Sequence, residues 1–489
     1  MQYSGPVLDN VKECFREQVS ELELAEAIDF VKSDHSKSRY NYLSFSINIP
    51  KVDPLAVLEQ HARKNSFQYY WEKRLDDFAI VAAGSIKRIQ TSGKLRFKNA
   101  STLGKELLNE VYHITNLKHH LASVHLLGGF SFFDQNKSQK WKDYSAGSFT
   151  LPEWVIVKDG KFNVLTITKK IEENSSPEEI NTSFTETLDD LDQVCKAESY
   201  SVSPKKRKLA QVAIPEVHSA EYKRWIHAVE NATDLIKAKK FKKIVLAREL
   251  SVKLNEPISD THILNNLRNQ YPDCYSFLIR QNEKSSFIGC TPERLASFND
   301  RHVLTEGLAG SISRGKTASE DAILEHELLH SQKDLSEHAF VLDAIEENLE
   351  RFSDVLEHPE TPAIKKLSNV QHLYTPVRAK IKAGVSRTEV LARLHPTPAV
   401  GGYPSEQAMP FINKLENFDR GWYAAPVGWI NANGEGEFVV AIRSGLIKND
   451  EVRFFAGCGI VKDSNPQKEW DETNLKFIPM LTALEYARK

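Results

Sequence analysis

Three short blocks in the C-terminal half carry carboxylates that could act together in one reaction. They are Thr291-Pro292-Glu293, Ser336-Glu337-His338 and Glu469-Trp470-Asp471-Glu472, and they surround the uninterrupted segment LHPTPAVGG at positions 394–402. A Mg²⁺ ion takes oxygen ligands and is commonly held by one or two carboxylates together with substrate oxygens and water. The blocks therefore predict a Mg²⁺-dependent enzyme that acts on a small anionic substrate, with Glu293 free for proton transfer.

A second pattern in the same region indicates different chemistry. His326-Glu327-Leu328-Leu329-His330 matches H-E-x-x-H, in which two histidines one helical turn apart bind zinc and the glutamate acts as a general base. Such a site also needs a third ligand, for which Glu346, Glu347 and Glu350 are candidates. Because this region is rich in His and Glu, a surface helix with incidental histidines is the favoured interpretation, and a zinc metallopeptidase is the remote alternative.

Composition sets limits on the class of protein. At 489 residues, with 41% hydrophobic and 27% charged residues, the chain can bury a large core as several domains or as one large one. A net charge of −2 gives no general reason to expect nucleic-acid or membrane binding, so substrate anions must meet locally placed Arg, Lys and backbone N–H groups. The basic run at 205–208 has no aromatic platform beside it, which is typical of a solvated linker.

The sequence also indicates a compartment. The first residues, MQYSGP, lead into charged amphipathic sequence and not an apolar signal core, and no run of about 18 apolar residues occurs. We therefore expect a soluble cytoplasmic protein. The five cysteines are scattered without a C-x-x-C pair, which predicts free thiols and neither a zinc nor a disulfide framework.

Helices and strands must position these blocks, and their patterns indicate an α+β protein. Residues 172–208 are polar and are interpreted as a surface connection, which divides the chain into an N-terminal portion, 1–215, and a catalytic portion, 216–489. One long helix over 318–351 would place Glu337 two turns beyond His330 on much the same face. The closing helix would place Glu469 and Glu472 on one face. The predicted strands are 78–83, 124–132, 154–157, 241–248, 275–279, 286–289, 295–298, 427–430, 437–442 and 451–456, and the other predicted helices are 55–64 and 220–239.

Residues 240–480 resemble the chorismate-utilising enzyme family, which includes anthranilate, aminodeoxychorismate, salicylate and isochorismate synthases. Seven blocks occur in the family's order, which is far more specific than one motif. They are KIVLAR (243–248), GCTPER (289–294), EGLAGS (306–311), SQKDLSEH (331–338), HPTPAVGG (395–402), AIRS (441–444) and AGCGIV (456–461) continuing to Glu472-Thr473. The resemblance implies the α+β fold of anthranilate synthase component I, with two large, mostly antiparallel sheets sandwiched by helices and completed by the N-terminal portion.

The resemblance also implies residue roles. Glu337 and Glu472 would bind Mg²⁺, with Glu469 nearby, and the metal would bind the ring carboxylate of chorismate. The substrate carboxylates would be held by side chains and by backbone N–H groups at glycines, since a guanidinium suits bidentate carboxylate binding. These substrate-binding residues are Arg443, Lys476, Gly310, Gly457 and Gly459.

Lys243 and Glu293 match the acid and base with which water-using members add water to C2 while the C4 hydroxyl departs. One group must accept a proton and another must donate one. A partly desolvated lysine can fall toward a useful pKa and a buried glutamate can rise, so Lys243 is predicted as the base and Glu293 as the acid. His395 would line the ring pocket near the departing hydroxyl.

The variable positions point to a particular branch. Ammonia-using members carry a threonine-containing version of the HPTPAVGG block, whereas this chain has Ala399-Val400, and GLAG at 307–310 lacks the lysine of aminodeoxychorismate synthases. Water is therefore the expected nucleophile, with no amidotransferase partner. The long N-terminal portion, including LGGFSF at 127–132, resembles the menaquinone type of isochorismate synthase. A siderophore-pathway isochorismate synthase and a salicylate synthase are the alternatives.

Overall fold

The computed structural model describes residues 10–33, 40–61, 67–172, 174–200, 215–367 and 370–487. The α-helices are α1 (Val11–Gln18), α2 (Glu21–Ser33), α3 (Pro54–His61), α4 (Arg96–Asn109), α5 (Pro177–Val194), α6 (Ala220–Lys237), α7 (Asp260–Gln270), α8 (Ala318–His330), α9 (Gln332–Leu349), α10 (Arg387–Leu394), α11 (Ser405–Leu415) and α12 (Pro466–Glu485). The strands are β1 (Tyr42–Asn48), β2 (Gln68–Lys73), β3 (Phe78–Ala83), β4 (Lys87–Thr91), β5 (Val111–Thr115), β6 (His125–Phe130), β7 (Gly147–Leu151), β8 (Trp154–Asp159), β9 (Phe162–Lys170), β10 (Lys243–Lys253), β11 (Tyr275–Asn282), β12 (Ser285–Thr291), β13 (Arg294–Asn299), β14 (His302–Ser313), β15 (Ser353–Glu357), β16 (Ala363–Lys366), β17 (Val370–Ile381), β18 (Gly402–Tyr403), β19 (Pro426–Asn431), β20 (Gly436–Val440), β21 (Ser444–Lys448) and β22 (Glu451–Ile460).

The strands form two large sheets. The first has twelve strands in the order β18-β10-β22-β21-β12-β11-β2-β3-β8-β9-β1-β5. The second has ten, in the order β15-β17-β14-β13-β20-β19-β6-β7-β4, with β16 paired to β17. Neighbouring strands run antiparallel, except that β1 and β5 are parallel. This confirms the predicted α+β class with two mostly antiparallel sheets.

Alternation along β3 shows how the layers pack. Ile80 and Ala82 point into the core shared by the two sheets, whereas Val81 and Ala83 point into the core beneath the outer helices. Successive side chains of a strand face opposite sides, so a strand buried on both faces is apolar throughout. Full burial of a side chain such as that of Ile80 stabilises the fold by roughly 1.5–3 kcal/mol.

The interpretation of residues 172–208 as a surface connection is wrong for the part that forms α5. Its buried side chains, which include Ile180, Phe184 and Leu188, pack in the outer core. Ser176 accepts a hydrogen bond from the backbone N–H of Glu179, whose carboxylate in turn accepts from the backbone of Ser176. This capping box marks a helix start and was readable in the sequence. The basic run at 205–208 lies outside the described residues.

The predicted single helix over 318–351 is also wrong, because the chain breaks between α8 and α9. Ser331 adopts an extended backbone conformation and its hydroxyl accepts a hydrogen bond from the backbone N–H of Asp334, which starts a new helix. His330 ends α8, whereas Glu337 lies near the start of α9. The two residues therefore do not share the face that a continuous helix would have given them.

Each sheet contains strands from before and after residue 215. The two portions of the chain pair directly at β2 with β11 in one sheet and at β6 with β19 in the other. The division into portions 1–215 and 216–489 stays a prediction. No helix in the described ranges is long and apolar enough to cross a membrane. All five cysteines are free thiols in this structure, and the cytoplasmic location stays a prediction.

Candidate active site

Lys243 is the first residue of β10, and its side chain is almost fully buried. Its ammonium donates a hydrogen bond of 2.6 Å to Oε1 of Glu337 on α9. The aliphatic part of the side chain lies against Gly459 of the neighbouring strand β22, where an added Cβ would be only 2.7 Å from Cε of Lys243. Gly459 thus has a steric role, since it leaves the space through which the lysine reaches Glu337.

Glu337 projects from the start of α9, and its side chain is one-third exposed. Burial acts to raise its pKa, but the adjacent Lys243 charge and hydrogen bond, helped by Lys333 and Lys476, hold the pKa below its ordinary value. Glu337 is therefore an ionised carboxylate surrounded by cations. The predicted metal ligand and the predicted base are direct partners in this structure.

Helix α12 brings the other predicted metal ligands to the same area. The ammonium of Lys476 donates to the carbonyl of Gly457 at 2.9 Å and to Oε1 of Glu472, one turn earlier on the helix, at 2.7 Å. Burial and, less strongly, the negative charge of Glu472 raise the pKa of Glu469. The charge of Lys476 also reaches Glu337, so α9 and α12 contribute to one site.

These carboxylates do not form a tight three-ligand cluster. Within the described ranges, Glu337, Glu469 and Glu472 do not bring one oxygen each within 4.8 Å of one another. Their donor set still suits Mg²⁺, because this ion takes oxygen ligands and commonly uses one or two carboxylates with substrate oxygens and water. The three side chains fit a magnesium site that the substrate completes, and their roles stay predictions.

Glu293 lies in the short connection between β12 and β13, where its residue is only 8% exposed. Burial raises its pKa from 4.5 to about 7, and the negative charge of Glu306 adds to this rise. A hydrogen bond of 3.3 Å from the Thr397 hydroxyl, together with the charges of Lys365 and Lys243, acts in the opposite direction. Glu293 can therefore hold or release a proton near neutral pH.

Three neighbours of Glu293 were not assigned roles from the sequence. The carboxyl of Glu306 is buried, and it accepts a hydrogen bond of 2.8 Å from the Lys365 ammonium. Glu306 begins the EGLAGS block and Thr397 lies in the HPTPAVGG block, so both stood within recognised segments. Lys365 lies on β16 outside every block, and no sequence signal pointed to it.

His395 directly follows α10, and its ring contacts the rings of Phe97 and Phe132. Nε2 lies 3.0 Å from the carbonyl of Phe132, which can only accept, so Nε2 carries the hydrogen and Nδ1 is an acceptor in the neutral ring. Burial first, and then the charges of Arg96 and Arg420, lower the pKa of His395 to about 3. The LGGFSF segment of the N-terminal portion thus orients a neutral His395, whose role in the ring pocket stays a prediction.

Gly310 and Arg443 both lie near His372. Gly310 has a φ of +74° at an irregularity in β14, and an added Cβ would be 3.0 Å from Cβ of Asp334 at the start of α9. Burial lowers the pKa of His372 to about 3, and the charge of Arg443 adds to this lowering. A hydrogen bond with the backbone of Gly310 acts in the opposite direction. Among the described residues the half-buried Arg443 guanidinium has no hydrogen-bond or ion-pair partner, so it is available to an anion.

The alternative zinc pattern does not develop into a site within the described chain. His326 and His330 are exposed on α8 with their rings stacked at 4.0 Å, and Nδ1 of His330 lies 2.8 Å from the carbonyl of His326. No third ligand approaches them there. Of the candidates, Glu346 instead bonds His358.

Comparison with known proteins adds to this geometry. A family model described as chorismate binding enzyme matches residues 26–485. Isochorismate synthase MenF of Bacillus subtilis is 33% identical over 91% of this chain and 94% of its own length. The salicylate biosynthesis isochorismate synthase of Pseudomonas aeruginosa is 35% identical over 90% of this chain and 89% of its own. The solved structure of MenF, the menaquinone-specific isochorismate synthase from Escherichia coli, superposes with a TM-score of 0.75 at 24% identity, over 94% of this chain and 99% of that one, and so supports the fold.

Proposed function

Because the chain belongs to the family of chorismate binding enzymes, we propose that it is an isochorismate synthase, which adds water to C2 of chorismate as the C4 hydroxyl leaves. The observation that carries this function is the buried carboxyl of Glu293, with a pKa of about 7, in the field of the buried ammonium of Lys243. The reaction needs one proton acceptor and one proton donor at neutral pH. This site contains one candidate for each role.

Glu293 is the proposed acid. At a pKa of about 7, a substantial fraction of its carboxyl groups is protonated at neutral pH, and each can give that proton to the departing C4 hydroxyl. Glu306 has a positioning role, because its negative charge helps to keep the proton on Glu293. Thr397 donates to Oε1 of Glu293 and fixes the direction of the carboxyl.

Lys243 is the proposed base that takes a proton from the attacking water. Its Nζ donates a hydrogen bond of 2.6 Å to Oε1 of Glu337, and an ammonium has no lone pair with which to accept a proton. The lysine can therefore act as the base only after it has given up a proton and become the neutral amine. Glu337 is also a proposed metal ligand, and its two carboxylate oxygens carry enough lone pairs to accept from Lys243 and to hold a cation.

The remaining charged residues are proposed to hold the substrate. Glu337, Glu472 and Glu469 would hold Mg²⁺, which when bound neutralises the ring carboxylate of chorismate. Arg443, Lys476 and backbone groups at Gly310, Gly457 and Gly459 would bind the substrate carboxylates. The guanidinium of Arg443 supports this role, because the described structure provides it with no carboxylate of its own.

We further propose that water is the nucleophile, that no amidotransferase subunit is required, and that the product enters menaquinone synthesis. Support for water as the nucleophile comes from Ala399-Val400 in the HPTPAVGG block. Support for the pathway comes from the match with MenF of Bacillus subtilis along nearly the whole chain. Magnesium dependence and a cytoplasmic location belong to the same proposal.

The test is to incubate the purified protein with chorismate and Mg²⁺ and to separate the products by chromatography with mass detection. We expect isochorismate without salicylate or pyruvate, and loss of product in Lys243→Ala and Glu293→Gln. Matched controls are Lys242→Ala and Glu26→Gln, because both wild-type side chains are exposed. Both controls should retain turnover, and removal of Mg²⁺ with a chelator should abolish it.

Each other result has a defined meaning. Salicylate with pyruvate would assign the protein to the salicylate synthases. An aminated product formed with ammonium would contradict water as the nucleophile. No turnover with either nucleophile would refute the proposed chemistry of the catalytic portion.

A further inference from the structure

Outside the candidate active site, three side chains of metal-ligand type come together from separate segments. His119 and His120 lie between β5 and β6, and Asp159 ends β8. Nε2 of His119 is 3.4 Å and Nε2 of His120 is 3.5 Å from the same oxygen, Oδ2 of Asp159. Two ligands at about 2.0–2.1 Å from one ion in tetrahedral geometry lie roughly 3.3 Å apart. The observed separations are long for hydrogen bonds but match those of neighbouring zinc ligands.

The contacts of His120 are those of a histidine that could bind a metal ion. Nδ1 of His120 lies 2.8 Å from Oε1 of Glu435, and a carboxylate can only accept, so the hydrogen is on Nδ1. In the neutral ring Nε2 then presents a lone pair toward the carboxylate of Asp159, an arrangement that is repulsive without a positive charge between them. A carboxylate that accepts from the outer nitrogen of a histidine is the usual support of a metal ligand. The fully protonated ring is the competing source of positive charge.

His119 is the second histidine of the cluster, and one of its contacts opposes metal binding. Its side chain is only 11% exposed, and its Nε2 faces Oδ2 of Asp159. However, the backbone N–H of Leu121 approaches Nδ1 of His119 at 3.3 Å. Metal binding at Nε2 moves the ring hydrogen to Nδ1 and breaks this long hydrogen bond. The loss of one long hydrogen bond is small beside the binding energy of a zinc site.

We propose that His119, His120 and Asp159 bind a divalent transition-metal cation of the zinc class, with Glu435 as the residue that orients His120. Imidazole and carboxylate ligands suit such ions. His120 is 57% exposed, so water can fill the fourth position. Asp159 belongs to the twelve-stranded sheet, and Glu435 directly precedes β20 of the ten-stranded sheet. The bound cation joins the ends of the two sheets, which is a structural role.

The test is calorimetric titration of the chelator-treated, dialysed protein with zinc chloride, in saturating Mg²⁺ so that the proposed magnesium site is occupied. We expect one equivalent of zinc to bind. His119→Ala, His120→Ala and Asp159→Asn should each weaken binding at least about tenfold, and Glu435→Gln should weaken it by about 10–100-fold. The matched control is His326→Ala with His330→Ala, which removes the exposed histidine pair of α8 and should leave zinc affinity unchanged.

Thermal unfolding provides a second measurement that is independent of turnover. A cation that binds only the folded state raises the unfolding midpoint, so zinc should raise it in the wild type and not in Asp159→Asn. A variant that melts normally without zinc is shown to be folded. The proposal is overturned if the wild type does not bind zinc, if folded His120→Ala binds it as tightly as the wild type, or if only the α8 control loses it.

Discussion

Replacing Glu293 with Gln should stabilise the folded protein at alkaline pH while abolishing its activity. Glu293 has an ordinary pKa of 4.5 and a pKa of about 7 in the fold, where burial and Glu306 disfavour its charge. At about 1.4 kcal/mol per pKa unit, ionising the folded carboxyl costs roughly 3 kcal/mol more than ionising it in the unfolded chain. Glutamine is neutral at every pH and does not carry this cost.

The pH dependence follows from the direction of the shift. The folded state binds the Glu293 proton more tightly than the unfolded state, so this stabilisation is complete below pH 4.5 and is lost as pH rises toward about 7. The free energy of unfolding of Glu293→Gln, minus that of the wild type, should therefore increase by roughly 3 kcal/mol between those limits and stay constant above them. A constant offset from the new amide group is allowed, because only the change with pH is diagnostic.

The assay is urea unfolding at a series of pH values, followed by tryptophan fluorescence, with turnover of chorismate measured on the same preparations. Glu26→Gln is the matched control, since Glu26 is exposed on α2 and its replacement should leave the free energy of unfolding unchanged at every pH. A pH-independent difference between Glu293→Gln and the wild type would refute the raised pKa. Full activity in Glu293→Gln would refute its role as the acid.

Three further substitutions test the surroundings of the acid and the base. Glu306→Gln removes the negative charge that helps to raise the pKa of Glu293, so the alkaline limb of kcat/KM should move to lower pH. Thr397→Val removes a hydrogen bond that lowers the pKa of Glu293, so the alkaline limb of kcat/KM should move to higher pH. If both variants moved the limb in the same direction, Glu293 would not be the group that titrates there. Gly459→Ala places a Cβ 2.7 Å from Cε of Lys243 and should lower kcat by about a hundredfold through displacement of the ammonium. The thermal midpoint of Gly459→Ala should change little, because the obstructed atom belongs to a flexible side chain. An unchanged kcat would show that catalysis does not need the Lys243 ammonium at its observed position.

Much of the fold was predictable because its local signals are strong. The apolar run 78–83 coincides with β3, and the predicted helix 220–239 differs from α6 only at its end. The two errors concern signals that were present but outweighed. A capping box began α5 within a polar stretch, and a serine able to cap α9 interrupted a strongly helical sequence.

The sequence by itself determined the family, the α+β class and the residue types available for chemistry, because ordered blocks and alternating apolar residues are properties of the chain. Only the tertiary structure decided the electrostatics. The pKa of Glu293 depends on burial and on Glu306 and Lys365, and the partner of Lys243 is Glu337 on α9. These groups are distant along the chain and meet only through the packing of sheets and helices. Charge interactions depend on distance in space and on exclusion of water, and neither is encoded in sequence spacing.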